Sequence, residues 1–220
     1  MTRSLAIGED ITTFRQVQEK LGLTLTDSEA VASLRASDSE FFTEWMAELP
    51  ALSEAEQARL DQVRRNYLYQ ISDGVLLEET IKMVVLSPLL EIVGFYQPPY
   101  KFRTEVSVEI EAEGDNEEIL RGRIDALVLQ GKLWIVLIES KKTTFDLEVA
   151  IPQTLAYMAA HPEPEQPLYG MVMNGSSYLF IKTLGKQYGI SDLFATRSQY
   201  RNNLYEVLRI LKHLGRLIVN

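Results

Sequence analysis

Two carboxylates and one amine interrupt a stretch that is otherwise apolar. In RGRIDALVLQGKLWIVLIESKK, residues 121–142, Asp125 breaks an apolar run, Glu139 follows six apolar residues directly, and Lys141 lies two positions further on. A buried carboxylate is costly unless it is paired or coordinates a cation, so both acids need a physical reason. If the two runs pair antiparallel around a turn centred on Lys132, partners have index sums near 264, which is the sum of 125 and 139. Other loop lengths shift that register by about one or two residues. The carboxylates then lie opposite or diagonal, within reach of one ion, and Lys141 shares the face of Glu139. Two hard oxygen donors suit Mg²⁺ or Mn²⁺, which keep several waters and accept phosphate oxygens as further ligands. A neighbouring ammonium can orient an attacking water or offset charge in a transition state. Together these are parts for phosphodiester hydrolysis.

The elements that must hold these residues follow from periodicity. Residues 1–70 place apolar positions three and four apart and read as helical, and Ser53 with Glu56 has the form of a capping box that opens a helix from about Glu54 to Ile71. Ser72-Asp73-Gly74 is a break, and Val75 to Val93 reads as a second long helix, bent or interrupted near Pro88 and stopped at Gly94. From Tyr100 the period changes to two. Val106, Val108 and Ile110 alternate with polar residues as on an edge or one-sided strand, Arg123 to Leu129 forms a second strand, and Leu133 to Ile138 forms a central one. Asp146 to Ala160 reads as helix, with Asp146 as cap and a fresh segment at Pro152 after a break at Ile151. Leu168 to Met173 and Tyr178 to Thr183 form a hairpin through Asn174-Gly175-Ser176. In the tail from Ser198 to Leu214, Tyr200, Leu204, Val207, Leu208, Leu211 and Leu214 make one helical stripe. The chain divides into an N-terminal helical extension, 1–70, and a core, 71–220.

Composition sets limits. With 220 residues, 46% hydrophobic and 24% charged, the chain is of ordinary globular type, and the absence of cysteine excludes disulfides, thiolate zinc sites and cysteine nucleophiles. His161 and His213 are isolated and are given no role, while Trp45 and Trp134 read as core. No apolar run reaches the length of a signal peptide or a membrane span, so a cytoplasmic protein without membrane contact is the expectation. A net charge of −9 opposes any bulk attraction to nucleic acid. The charge is uneven, however: residues 105–118 hold 7 acids and no base, whereas residues 121–142 carry a net of +3 and residues 182–216 a net of +5. Arg121, Arg123, Lys141 and Lys142 could form a footprint for a backbone phosphate, or could equally be solubilising charges at strand ends.

The spacing from Asp125 to Glu139-Ser140-Lys141, within a helix-strand-strand-strand-helix-strand order, resembles the PD-(D/E)xK nuclease superfamily, and most closely the N-terminal nuclease domain of type I restriction enzyme R subunits. Those families commonly carry a helical Gln with an aromatic one turn later, and Gln153 with Tyr157 in PQTLAY matches that pattern. The match spans roughly residues 75 to 183. Ile124 stands where the motif has Pro, and the 220 residues hold no helicase motor, so translocation is not inferred.

The resemblance implies an α/β (α+β) fold with a restriction-endonuclease-like core of helix, three-stranded antiparallel meander, helix and further strands, ending in a C-terminal helix. It also implies Asp125, Glu139 and the Ser140 carbonyl as ligands of Mg²⁺ or Mn²⁺, Lys141 as catalytic lysine, and Gln153 as a positioning group for Lys141 or a phosphate. Glu79 is the upstream helical acid, with Glu78 close behind, and Tyr157 joins Arg121, Arg123 and Lys142 as a nucleic-acid contact.

The activity implied is a Mg²⁺-dependent endonuclease acting on DNA. An alternative is a nuclease-fold accessory module without cleavage activity, bound to other subunits of a restriction complex or forming a homo-oligomer; the acidic N-terminal residues favour it. A third reading, an unrelated α/β protein, expects the two carboxylates to lie far apart. A D…ExK spacing alone is more often ordinary surface; the paired strands, the apolar run into Glu139 and the Gln153/Tyr157 pair tip the balance toward a site.

Overall fold

The computed structural model of the chain describes residues 3–26, 41–112, 118–130, 133–197 and 201–217. Strand β1 (Arg3–Ala6) leads into the short helices α1 (Ile7–Asp10) and α2 (Phe14–Leu21), and then β2 (Thr24–Leu25). Helix α3 (Glu54–Gln70) starts at the expected capping box: the Ser53 hydroxyl accepts from Glu56 N–H, and the Glu56 carboxylate accepts from Ser53 N–H at 2.8 Å. The next helical segment runs as α4 (Glu78–Ile81), a π-helical turn (Lys82–Leu86) and α5 (Ser87–Val93). The wide turn ends just before Pro88, which has no N–H to give an ordinary helical ladder, and Gly94 closes the segment in the left-handed conformation at φ 91.

Strands β3 (Tyr100–Glu111), β4 (Glu118–Gln130) and β5 (Leu133–Ser140) form an antiparallel meander, followed by helix α6 (Leu147–Ala159) and β6 (Leu168–Met173), parallel to β5. Strands β7 (Ser177–Leu184), β8 (Gln187–Ile190) and β9 (Phe194–Ala195) and helix α7 (Leu204–Leu217) complete the described chain. The result is one mixed sheet in the order β1-β4-β5-β6-β7-β8-β2, with β3 on β4 and β9 on β7. Helix α3, the 78–93 segment and α7 cover one face, burying Leu60, Leu89 and Leu211 against Val128, Ile138 and Phe180. Helices α1, α2 and α6 cover the other, burying Ile7, Val17 and Leu155 against Leu120, Val172 and Ile181. Among the described residues no helix is long and apolar enough to cross a membrane.

Three expectations for the elements are corrected. Residues 3–6 and 24–25 are strands rather than helix: β1 pairs in parallel with Glu118–Arg121, and β2 with Gln187–Tyr188. Each is so short that it carries no period-two signal. Helix α6 runs unbroken through Pro152, because buried residues on both sides of it, Leu147, Ala150 and Leu155 among them, hold the helix at the cost of one backbone hydrogen bond. The tail helix starts at Leu204; Leu204, Val207, Leu208, Leu211 and Leu214 are buried as the stripe requires, while Tyr200 lies outside the described residues, as does Lys132.

Candidate metal centre

The strand register brings the two acids together. Ala126 pairs with Ile138, Leu127 with Leu137 and Val128 with Val136, all at an index sum of 264, after a bulge between Val128 and Leu129 that separates them from pairs summing to 263 nearer the turn. The ladder ends at Ala126↔Ile138, with Asp125 and Glu139 each one residue beyond that last pair. Ser140 N–H donates to Asp125 Oδ2 at 2.9 Å, so strand β5 itself clasps the carboxylate of β4.

Asp125 also sits at a fault in the sheet. Leu120 and Ile124 face the α6 layer, whereas beyond Asp125 the even positions Ala126 and Val128 face the α3 layer, so the alternation slips at the acid. Opposite it, between Thr104↔Ala126 and Val106↔Ile124, Glu105 adopts φ 55, a left-handed conformation uncommon for a residue with a side chain.

A second irregularity lies on the other edge of β4. There, β1 pairs as far as Arg121 and β5 pairs from Ala126 onward, which leaves residues 122–125 with no strand on that edge among the described residues. Tyr157 of α6 fills the gap. Its hydroxyl accepts from Gln153 Nε2 at 2.7 Å. A Cβ on Gly122 would stand 2.5 Å from Tyr157 Cε1, so only glycine lets the ring approach this closely. Tyr157 is 4% exposed and cannot offer the expected contact to nucleic acid; its ring packs on Gly122 where the sheet leaves that edge open. Burial and the charge of Glu139 raise its phenol above the ordinary value. Gln153 is spent on Tyr157 rather than on Lys141.

Glu139 is 3% exposed. Its Oε1 accepts from Lys141 Nζ at 2.7 Å, while the buried Oε2 has no hydrogen-bond partner. Burial, followed by the charge of Asp125, pushes its carboxyl up to about 7, with Lys141 offsetting only part of the rise. Burial would lower the Lys141 ammonium, but Glu139 more than reverses that and the net shift is upward. Lys141 also lies 5.7 Å from the centre of the Phe145 ring. Its loop is anchored by buried Asn174, whose Nδ2 donates to Phe145 O at 2.8 Å and whose Oδ1 accepts from Ser176 and Ser177 N–H.

One residue of the cluster was missed in the sequence. Lys82, first in the π-helical turn, donates to Asp125 Oδ1 at 2.9 Å and to Glu79 Oε1 at 2.9 Å. Burial would lower this ammonium, and the two carboxylates outweigh it, so its net shift is upward. A single lysine in a helix has no spacing signal. Of the two upstream acids, Glu79 is 79% exposed and reaches Asp125 only through Lys82, whereas the charge of Glu78 acts on Glu139 and Lys141 directly. Arg121 and Arg123 are exposed but engaged, Arg121 with Glu109 at 2.8 Å and Arg123 with Glu105 at 2.7 Å, and Lys142 is exposed.

The donor set suits a hard divalent ion. Among the described residues no group of three or more His, Asp or Glu is placed to hold a metal together, but Mg²⁺ is typically held by one or two carboxylates with waters and phosphate oxygens completing the shell. The unpartnered Oε2 of Glu139 is the atom that such an ion would satisfy.

No family model and no curated protein matches this chain. Among solved structures it is similar to a fragment described as the HsdR subunit of a type I restriction enzyme from Vibrio vulnificus YJ016, with a TM-score of 0.39 and 16% identity over 64% of this chain. The chain spans 26% of that fragment's length.

Proposed function

We propose that the chain binds one divalent cation, Mg²⁺ or Mn²⁺, through Asp125, Glu139 and the Ser140 carbonyl, and hydrolyses phosphodiester bonds in DNA. The observation that carries the reading is the buried Glu139 carboxyl, with one oxygen on Lys141 and the other unpartnered, adjacent in register to Asp125. When bound, the ion polarises a phosphoryl oxygen and acidifies a water. Asp125, held by Lys82 and Ser140 N–H, keeps its carboxylate oriented; Lys141, sheltered beside Glu139, holds an ammonium proton near the point where negative charge develops. Purified protein is incubated with supercoiled plasmid and with single-stranded circular DNA in Mg²⁺ or Mn²⁺. Cleavage that is lost in Asp125→Ala and Lys141→Ala proteins supports the reading, and cleavage that persists in both refutes it.

A second reading, an accessory module without cleavage activity, is favoured by the pairing of Arg121 and Arg123 with β3 glutamates, which removes much of the positive footprint. Calorimetric titration with Mn²⁺ separates the two. Heat that disappears in Glu139→Gln belongs to the metal reading, and no heat at all belongs to the accessory one.

A further inference from the structure

A cleft of about 320 Å³ opens from Asp125 between the 78–93 helical segment and the β3–β4 surface. Glu79, Lys82, Met83, Leu86 and Leu90 line it from one helical stripe, which by helical rise is about 16 Å long. Asp125 and Lys82 stand at one end and Tyr96 and Phe102 toward the other, so the cleft grades from charged to aromatic. Met83 is 75% exposed and Tyr96 is 42% exposed, so neither is spent on the core. Tyr96 meets Phe102 edge to face, with centroids 5.3 Å apart, and its hydroxyl is tied to Ser87 Oγ.

We propose that this cleft takes the base of an unpaired nucleotide, so that the polynucleotide is single-stranded next to the phosphate at Asp125; the proposal rests on the reading of the Asp125–Glu139 site as one that takes nucleic acid. Duplex binding draws most of its affinity from lysine and arginine on phosphates, and here Arg121 and Arg123 are engaged by glutamates on a chain of net charge −9. Stacking on aromatic and thioether side chains needs no such charge and accepts any base. The cleft volume lies at the small end of ligand pockets, roughly 300–1,000 Å³, which suits one base rather than a paired duplex.

The test is fluorescence anisotropy of the whole chain in EDTA, using a short labelled single strand, its blunt duplex and a fully abasic strand of equal length. The single strand is expected to bind at least about tenfold more tightly than either of the others, with Tyr96→Ala costing about tenfold and Tyr96→Phe costing little. Equal affinity for duplex and single strand overturns the proposal, as does equal affinity for the abasic strand; both comparisons use the unaltered protein and do not depend on how a variant folds. Plasmid cleavage without single-strand preference overturns this inference alone, whereas single-strand preference without Mn²⁺ heat supports the cleft and overturns the hydrolytic reading.

Discussion

The Lys82 ammonium lies 2.9 Å from Asp125 Oδ1, joining a helix to a strand 43 residues away at the point where β4 loses its alternation. With side-chain exposures of 18% and 15%, the pair is largely shielded from solvent, and removing one partner leaves the other poorly solvated. Lys82→Met is therefore expected to destabilise the chain, and the double variant Lys82→Met/Asp125→Asn to lose less than the sum of the single changes. A coupling of about 1–2 kcal/mol is expected in a urea-denaturation cycle in EDTA; strict additivity would show that the contact carries no energy.

The folded-state carboxyl of Glu139 is raised from 4.5 to about 7 by burial and by Asp125. The folded protein thus holds a proton that the unfolded chain releases between those two values, so this residue's contribution to stability is full below the lower value and falls as pH rises through the upper one. In metal-free buffer, wild type is expected to lose on the order of 2–3 kcal/mol more than Glu139→Gln between pH 5 and pH 8. Parallel denaturation curves at the two pH values check this, and equal losses in both proteins would contradict it.

The antiparallel pairing next to the two acids was legible because strand pairing is arithmetic: once Leu133 to Ile138 is taken as a central strand, a sum near 264 follows, and the structure reaches that sum beyond a bulge between Val128 and Leu129 that shifts it from 263. Lys82 was not legible, since nothing local distinguishes it from a solvated helix lysine and its partner is tertiary. Tyr157 was recognised by spacing but misplaced on the surface, because its burial depends on Gly122 and on a gap between two strands that share one edge of β4. Strand β1 was hidden for the same reason: what makes Arg3–Ala6 extended is the open edge of Glu118–Arg121, over a hundred residues away.

That gap makes a prediction of its own. Gly122→Ala drives a methyl to within 2.5 Å of Tyr157 Cε1 and should cost about 1–3 kcal/mol by overpacking. Tyr157→Phe keeps the ring but removes the acceptor for Gln153 Nε2, an expected loss of about 0.5–1.5 kcal/mol for one hydrogen bond. Thermal unfolding of both variants tests the pair. If Tyr157→Phe is neutral, water satisfies Gln153 and the gap is wetter than the burial of Tyr157 suggests.

The glutamates of β3 set how strongly the chain engages a polyanion. Glu109 faces Arg121 across the β3–β4 ladder and Glu105 reaches Arg123 diagonally, in exposed ion pairs that are worth little to stability but cancel the field that a phosphate would feel. Glu105→Gln/Glu109→Gln leaves both arginines in place and free to turn outward. Its melting temperature should stay close to wild type, while its affinity for oligonucleotides rises and the slope of log affinity against log salt steepens by about one for each arginine that reaches a phosphate. Anisotropy titrations across a salt series give both quantities. An unchanged slope would mean that neither Arg121 nor Arg123 lies on the path of the nucleic acid, and the positive charge at that end of β4 would then serve only to balance β3.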